Sequence, residues 1–238
     1  KTIVEVFEYH NKQIESLIPN EYSPATLKRF KTTLDHVKTF LRYKYKTDDI
    51  LLTQLNHEFV TEFEHYFKAI RKCNHNTTIK YIKNLKKVVN MAINNEWLTR
   101  DPFARFSVKL KQTNRDFLTK VELSRIEQLE LTSPRLDQVR DVFVFACYTS
   151  LAHVDVYNLT KDNLRKNIKG KFELVYSRQK TSKVIRIPLF QEPLNIIHKY
   201  EDHPVVILEN KLLPVISNQK INKYLKEIAV LAKIKKNI

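Results

Sequence analysis

Residues 76–98 read NTTIKYIKNLKKVVNMAINNEWL, and their spacing decides the fold. At about 100° per residue, Ile79, Ile82, Leu85, Val88, Val89, Ala92 and Ile93 fill one arc, so the stretch is predicted to be a helix with one buried face. Asn76-Thr77 is expected to cap it, and it is expected to run to about Asn95. The opposite arc holds Lys80, Lys83, Asn84, Lys87, Asn90 and Asn94. From Lys68 to Lys87 there are seven basic residues, Lys72 among them, and no acidic one. A solvated helix face ordinarily mixes signs to gain i,i+4 pairs. A face of Lys and Asn alone forgoes that gain, and it suits phosphate contacts with base-edge contacts beside them. A lysine-rich solvated surface is the alternative.

Upstream of this stretch, three more helices are predicted. Residues 2–18 open on a capping box of Thr2 and Glu5, with Ile3, Phe7, Ile14 and Leu17 on one face. His10 shares that face and reads as a packed histidine, since no second metal ligand lies three or four residues away. Ser23-Pro24 starts the next helix, where Leu27, Phe30, Leu34, Val37 and Leu41 form the buried stripe and Lys28 and Lys31 lie off it. A third begins near Asn56 and is expected to bury Phe59, Phe63, Tyr66, Phe67 and Ile70.

Downstream, Asp101-Pro102 stops the helical pattern. Residues 106–116 are polar, basic and aperiodic, as a linker would be. Thr119 and Glu122 form a second capping box, and an apolar helix is predicted over 134–149. The period then changes. Residues 171–177 and 183–188 alternate around a polar, basic turn containing Arg178 and Lys180, which predicts a β-hairpin; a third strand is expected near 163–168, before the lone Gly170. Helices return at 191–201 and, capped by Ser217, at 218–233.

Composition excludes whole classes of function. One glycine in 238 residues, where roughly 17 would be ordinary, removes the P-loop, the dinucleotide turn and the nucleophile elbow. Two distant cysteines, Cys73 and Cys147, offer neither a disulfide framework nor a zinc site. No apolar run is long enough for a membrane span, so the cytoplasm is the expected compartment. The 42 Lys and Arg against 26 Asp and Glu give a net charge of +16. The excess is spread along the chain, with 19 basic and 12 acidic residues in 1–110 and 23 and 14 in 111–238. Both halves therefore suit a polyanion, nucleic acid foremost.

Taken in order, several blocks resemble the tyrosine recombinase (phage integrase) family, and most nearly the integrases of conjugative transposons. The run from Thr78 through Tyr81-Ile82, Leu85-Lys86 and Ala92 to Trp97-Leu98 and Asp101-Pro102-Phe103 is similar to the family's SAM-like core-binding domain. Phe117-Leu118-Thr119 with Glu122-Leu123 resembles the opening of its catalytic domain, and Thr149-Ser150-Leu151-Ala152-His153-Val154-Asp155 the block written T-G-L-R-x-x-E. Gln179-Lys180-Thr181 and the later Ile187-Pro188-Leu189 resemble the hairpin lysine and the V-P-L after it.

The resemblance implies a mainly α chain with a small antiparallel β-sheet: a helical core-binding domain over 1–105, a linker over 106–116, and over 117–238 the first part of an α+β catalytic domain. It also implies DNA strand exchange through a covalent 3′-phosphotyrosine, with no metal or nucleotide cofactor, on double-stranded DNA held by four copies in the bacterial cytoplasm and nucleoid. Lys180 would be the hairpin lysine, and Asp155 a structural residue beside the site. Lys28, Lys31, Lys72, Lys80, Lys83, Asn84 and Lys87 would contact DNA. Two departures go with this. Ala152 stands where the family has its first arginine, with Arg178 the candidate replacement cation, and neither H-x-x-R nor a tyrosine in the nucleophile's context occurs in the 238 residues, so the chain by itself is expected to be inactive. Two other readings remain at this point: a non-catalytic DNA-binding regulator on the same scaffold, and a basic helical interaction module.

Overall fold

The chain enters its first helix through a reciprocal cap. The Thr2 hydroxyl accepts from the Glu5 amide at 3.4 Å, and the Glu5 carboxylate accepts from the Thr2 amide at 2.8 Å. The computed structural model describes residues 1–179 and 183–236. They fall into two units, divided between Thr113 and Asn114.

The first unit is helical: α1 (Ile3–Ser16), α2 (Pro24–Tyr45), α3 (His57–His65) and α4 (His75–Asn94). Its core is aromatic at the centre, where Phe40 meets Phe59 and Phe63, and Phe67 stacks on Tyr81 at 4.9 Å. Aromatic pairs of this kind add specificity to simple burial. His10 is buried with its ring edge on Phe30 at 4.5 Å.

Two expectations need correction here. The cap of α4 is Asn74, whose carboxamide oxygen accepts from the Thr77 amide at 2.8 Å. Asn76 lies inside the helix and turns its side chain outward, pairing with both the N–H and the C=O of Lys111 at 2.8 Å each. Ile70 is exposed, because α3 runs on as a π-turn over Tyr66–Ile70. The Arg71 amide bonds the Tyr66 carbonyl five residues back, and this wider turn rotates the next side chain off the buried stripe.

Of residues 106–116, the first part lies against this unit: Phe106 and Val108 pack on its core, and the Lys109 carbonyl meets the His75 ring at 3.0 Å. Among the described residues, none of Gln112–Asp116 takes a hydrogen bond.

The second unit contains α5 (Lys120–Glu127), α6 (Pro134–Thr149), α7 (His153–Asn158), β1 (Leu164–Lys166), β2 (Phe172–Ser177), β3 (Val184–Pro188), α8 (Gln191–Lys199), α9 (Pro204–Leu208) and α10 (Asn218–Leu231). The strands form one antiparallel sheet in the order β1-β2-β3, with Leu164 opposite Leu174 and Leu174 opposite Ile187. Leu174 and Tyr176 of the alternating β2 are buried, and α6, α8 and α10 supply most of the helical core. Asp141 on α6 is buried but fully engaged: Lys199 reaches it at 2.6 Å, Tyr200 at 2.9 Å and Arg140 at 2.8 Å. The short α9 was not expected from the sequence, and Ser217 makes no side-chain cap to α10. The fold is thus mainly helical with a small antiparallel sheet.

Candidate functional site

In the first unit, the apolar arc of α4 is buried from Ile79 to Ala92, which forces the opposite arc outward. Lys80, Lys83, Lys87, Asn90 and Asn94 are exposed. Lys83 stands between two concavities. One, of about 620 Å³, lies between α2 and α4 and is rimmed by Lys28, Arg29, Lys80 and Lys83. The other, of similar size, is lined by Lys83, Lys86, Lys87, Asn90 and Asn94 over a floor of Met91 and Val108. Among the described residues, Lys28, Lys72, Lys80, Lys83 and Lys87 take part in no ion pair. Unneutralised cations crowded around grooves repel one another, and an anionic ligand relieves that repulsion.

The other two expected contact residues stand differently. Lys31 is paired with Glu15 of α1 at 3.0 Å. Asn84 turns toward α2, donating from its amide to the buried Thr33 hydroxyl at 2.9 Å. Lys72 is exposed beyond the π-turn, in the left-handed region at φ 50°. Arg29, which the sequence reading passed over, lines the α2–α4 groove; its place beside Lys28 was the available signal. Burial pushes the His10 and His36 imidazoles below their ordinary value, Arg71 adding to the effect at His36, so both stay neutral beneath this surface.

In the second unit, the α6–α7 junction and the sheet meet at Asp155. Ser150 takes a left-handed conformation at φ 56° that ends α6, and the chain re-enters a helix at His153 after Ala152. Asp155 is then 4% exposed. One carboxylate oxygen accepts from the Gln179 amide at 3.1 Å, and the other lies 3.8 Å from Arg178 Nε. Asn158, one turn on, donates to the Gln179 side chain at 3.4 Å. A buried acid on α7 therefore fixes the base of the β2–β3 turn and draws the exposed Arg178 to it. Among the described residues Arg178 meets no other acid, and its guanidinium carries further donors of the kind that bind phosphate. Ala152 is exposed, and His153 is held elsewhere by the Ile216 carbonyl at 2.9 Å. Lys180 lies outside the described residues.

Residues 2–113 match the phage integrase SAM-like domain. Over the whole chain, the structure aligns with lambda integrase (residues 75–356, a dimer bound to a COC′ core site) at a TM-score of 0.75 and 14% identity, covering 100% of this chain and 81% of that one. The chain has the fold of lambda integrase. The lambda integrase tetramer bound to a Holliday junction matches at a TM-score of 0.74 and 17% identity, over 98% of this chain and 64% of that one. The Tn1549 transposon integrase in complex with transposon right end DNA matches at a TM-score of 0.60 and 15% identity, over 84% of this chain and 64% of that one. This chain spans 64% of the length of each of these last two chains. Among curated sequences, none matches this chain. No described helix is long and apolar enough to cross a membrane.

Proposed function

We propose that this chain is the DNA-gripping part of a site-specific tyrosine recombinase, an integrase that cuts and rejoins DNA strands, and that it holds double-stranded DNA chiefly through phosphates. The cations rimming the two grooves beside α4, none of them ion-paired among the described residues, carry this reading. On it, Lys28, Lys72, Lys80, Lys83 and Lys87 grip the backbone, while Lys31 and Asn84 act mainly within the protein. The names of the similar structures, a DNA-bound dimer and a tetramer on a Holliday junction, support a partner of this kind and assembly on it.

Each contacted phosphate contributes about −0.9 to the slope of log affinity against log salt. Titrating a duplex at several salt concentrations is expected to give a steep negative slope, made shallower by up to about two in the Lys83→Ala/Lys87→Ala double variant. A flat slope would favour the interaction-module reading.

In the cutting step, Lys180 would deliver a proton to the leaving 5′ oxygen, and Arg178, oriented by Asp155, would stand in for the cation that Ala152 cannot supply. Removal of even one preorganised charge donor from such a site costs about 10²–10³ in rate. These 238 residues are therefore expected to bind DNA without forming a phosphotyrosine adduct. Incubation with a nicked suicide substrate followed by a denaturing gel checks this. A shifted band would identify one of the chain's own eleven tyrosines as a nucleophile.

A further inference from the structure

We propose that the β1–β2 turn is a second DNA contact, in which Ile168 enters the minor groove and the basic residues around it hold the flanking phosphates. The proposal rests on the DNA-binding reading above but on different residues, at the end of the sheet away from Arg178.

Residues 161–171, KDNLRKNIKGK, hold five cations and one acid. Lys161, Arg165, Lys166, Lys169 and Lys171 are all exposed, and none is in an ion pair among the described residues. The single acid, Asp162, is engaged by the Asn210 side chain at 3.2 Å. At the tip, Ile168 is fully exposed, at 106% relative accessibility.

The tip is also rigidly built. The Asn167 side-chain oxygen accepts from the amides of Lys169 and Lys171 at 2.9 and 3.1 Å. The Asn167 amide donates to the Lys171 carbonyl at 2.8 Å, and Gly170 donates back to the Asn167 carbonyl at 2.9 Å. Gly170 supplies the left-handed φ of 72° that closes the turn. An apolar side chain held outward by four hydrogen-bonded or turn-forming residues loses little freedom on binding. Apolar wedges flanked by cations are how proteins enter the minor groove. The charge excess selects a polyanion over an apolar protein surface. The strand β2 separates this turn from the Arg178 turn by about 17 Å, on the order of five base-pair steps, so one duplex could meet both.

The test uses the whole chain and a mixed-sequence duplex, titrated at several salt concentrations. The Lys166→Ala/Lys169→Ala/Lys171→Ala variant is expected to lose up to about 2.7 from the salt slope. Ile168→Ser is expected to weaken binding about tenfold with the slope unchanged. All four side chains are exposed, so the unfolding midpoint should stay at the wild-type value in both variants. If both bind as wild type does while Lys83→Ala/Lys87→Ala still flattens the slope, the turn is no DNA contact and the α4 surface stands alone. If the wild-type slope is itself flat, the DNA reading beneath the proposal falls with it. If Ile168→Ser instead abolishes self-association and leaves DNA affinity intact, the turn is a protein contact and the proposal is overturned.

Discussion

Asn84 sits at the edge of a helical stripe, where a carboxamide can face either solvent or the neighbouring helix. Periodicity alone groups it with Lys80, Lys83 and Lys87, because a helical wheel knows nothing of α2. The structure turns it to the Thr33 hydroxyl. Asn84→Ala is therefore expected to cost about 0.5–1.5 kcal/mol of stability while DNA affinity changes less than about twofold. Lys83→Ala should do the reverse. Paired chemical denaturation and binding measurements separate the two, and a loss of affinity with stability intact would return Asn84 to the DNA surface. The sequence suggests Asp155 as a structural residue beside the proposed site, but its grip on the Gln179 amide is a contact across 24 residues that no local pattern encodes. Lys31 is a similar case, since its pairing with Glu15 of α1 depends on how two helices lie together.

At the scale of elements, what the sequence made legible was set by local chemistry. Both capping boxes, the Ser23-Pro24 helix start and the alternation of β2 and β3 are short-range signals, and each element is present. The π-turn after α3 is not such a signal, since it depends on how the aromatic core seats Tyr66 and Phe67. The box at α5 gains a partner from far along the chain: Lys236 reaches the Glu122 carboxylate at 2.8 Å and the Phe117 carbonyl at 3.0 Å. The Lys236 hydrogen bond, together with the Thr119 amide, lowers the Glu122 carboxyl to about 2, against an ordinary 4.5. A depressed carboxylate stabilises the fold above its unfolded value and loses that contribution as pH falls through its folded one. Glu122→Gln should therefore lower the unfolding midpoint at pH 7 and have progressively less effect between about pH 4.5 and 2. Thermal melts of both proteins across that window check it; an equal deficit at every pH would mean that packing, rather than charge, is what the carboxylate contributes.

At the scale of the molecule, two hydrophobic cores are built from separate stretches of chain, residues 3–103 and 126–234. Each is large enough for a domain, so residues 1–113 are expected to fold alone with a cooperative melt. His10 and His36 are both in that unit and both are pushed down by burial. Their unfolded forms bind protons first, so the isolated unit should be most stable above about pH 6.5 and lose stability as pH falls below it. A midpoint that holds constant from pH 7 to 5 would refute this. The segment between the cores has a further consequence. With Lys111 tied down by Asn76 and Phe117 by Lys236, only Gln112–Asp116 remain as a leash, spanning at most roughly 20 Å. If both halves hold DNA as proposed, then once either has landed on a duplex so short a leash would keep the other at an effective local concentration on the order of millimolar. Two individually modest grips then multiply into avidity, and inserting a long flexible stretch after Thr113 would dilute that advantage without touching a single contact residue.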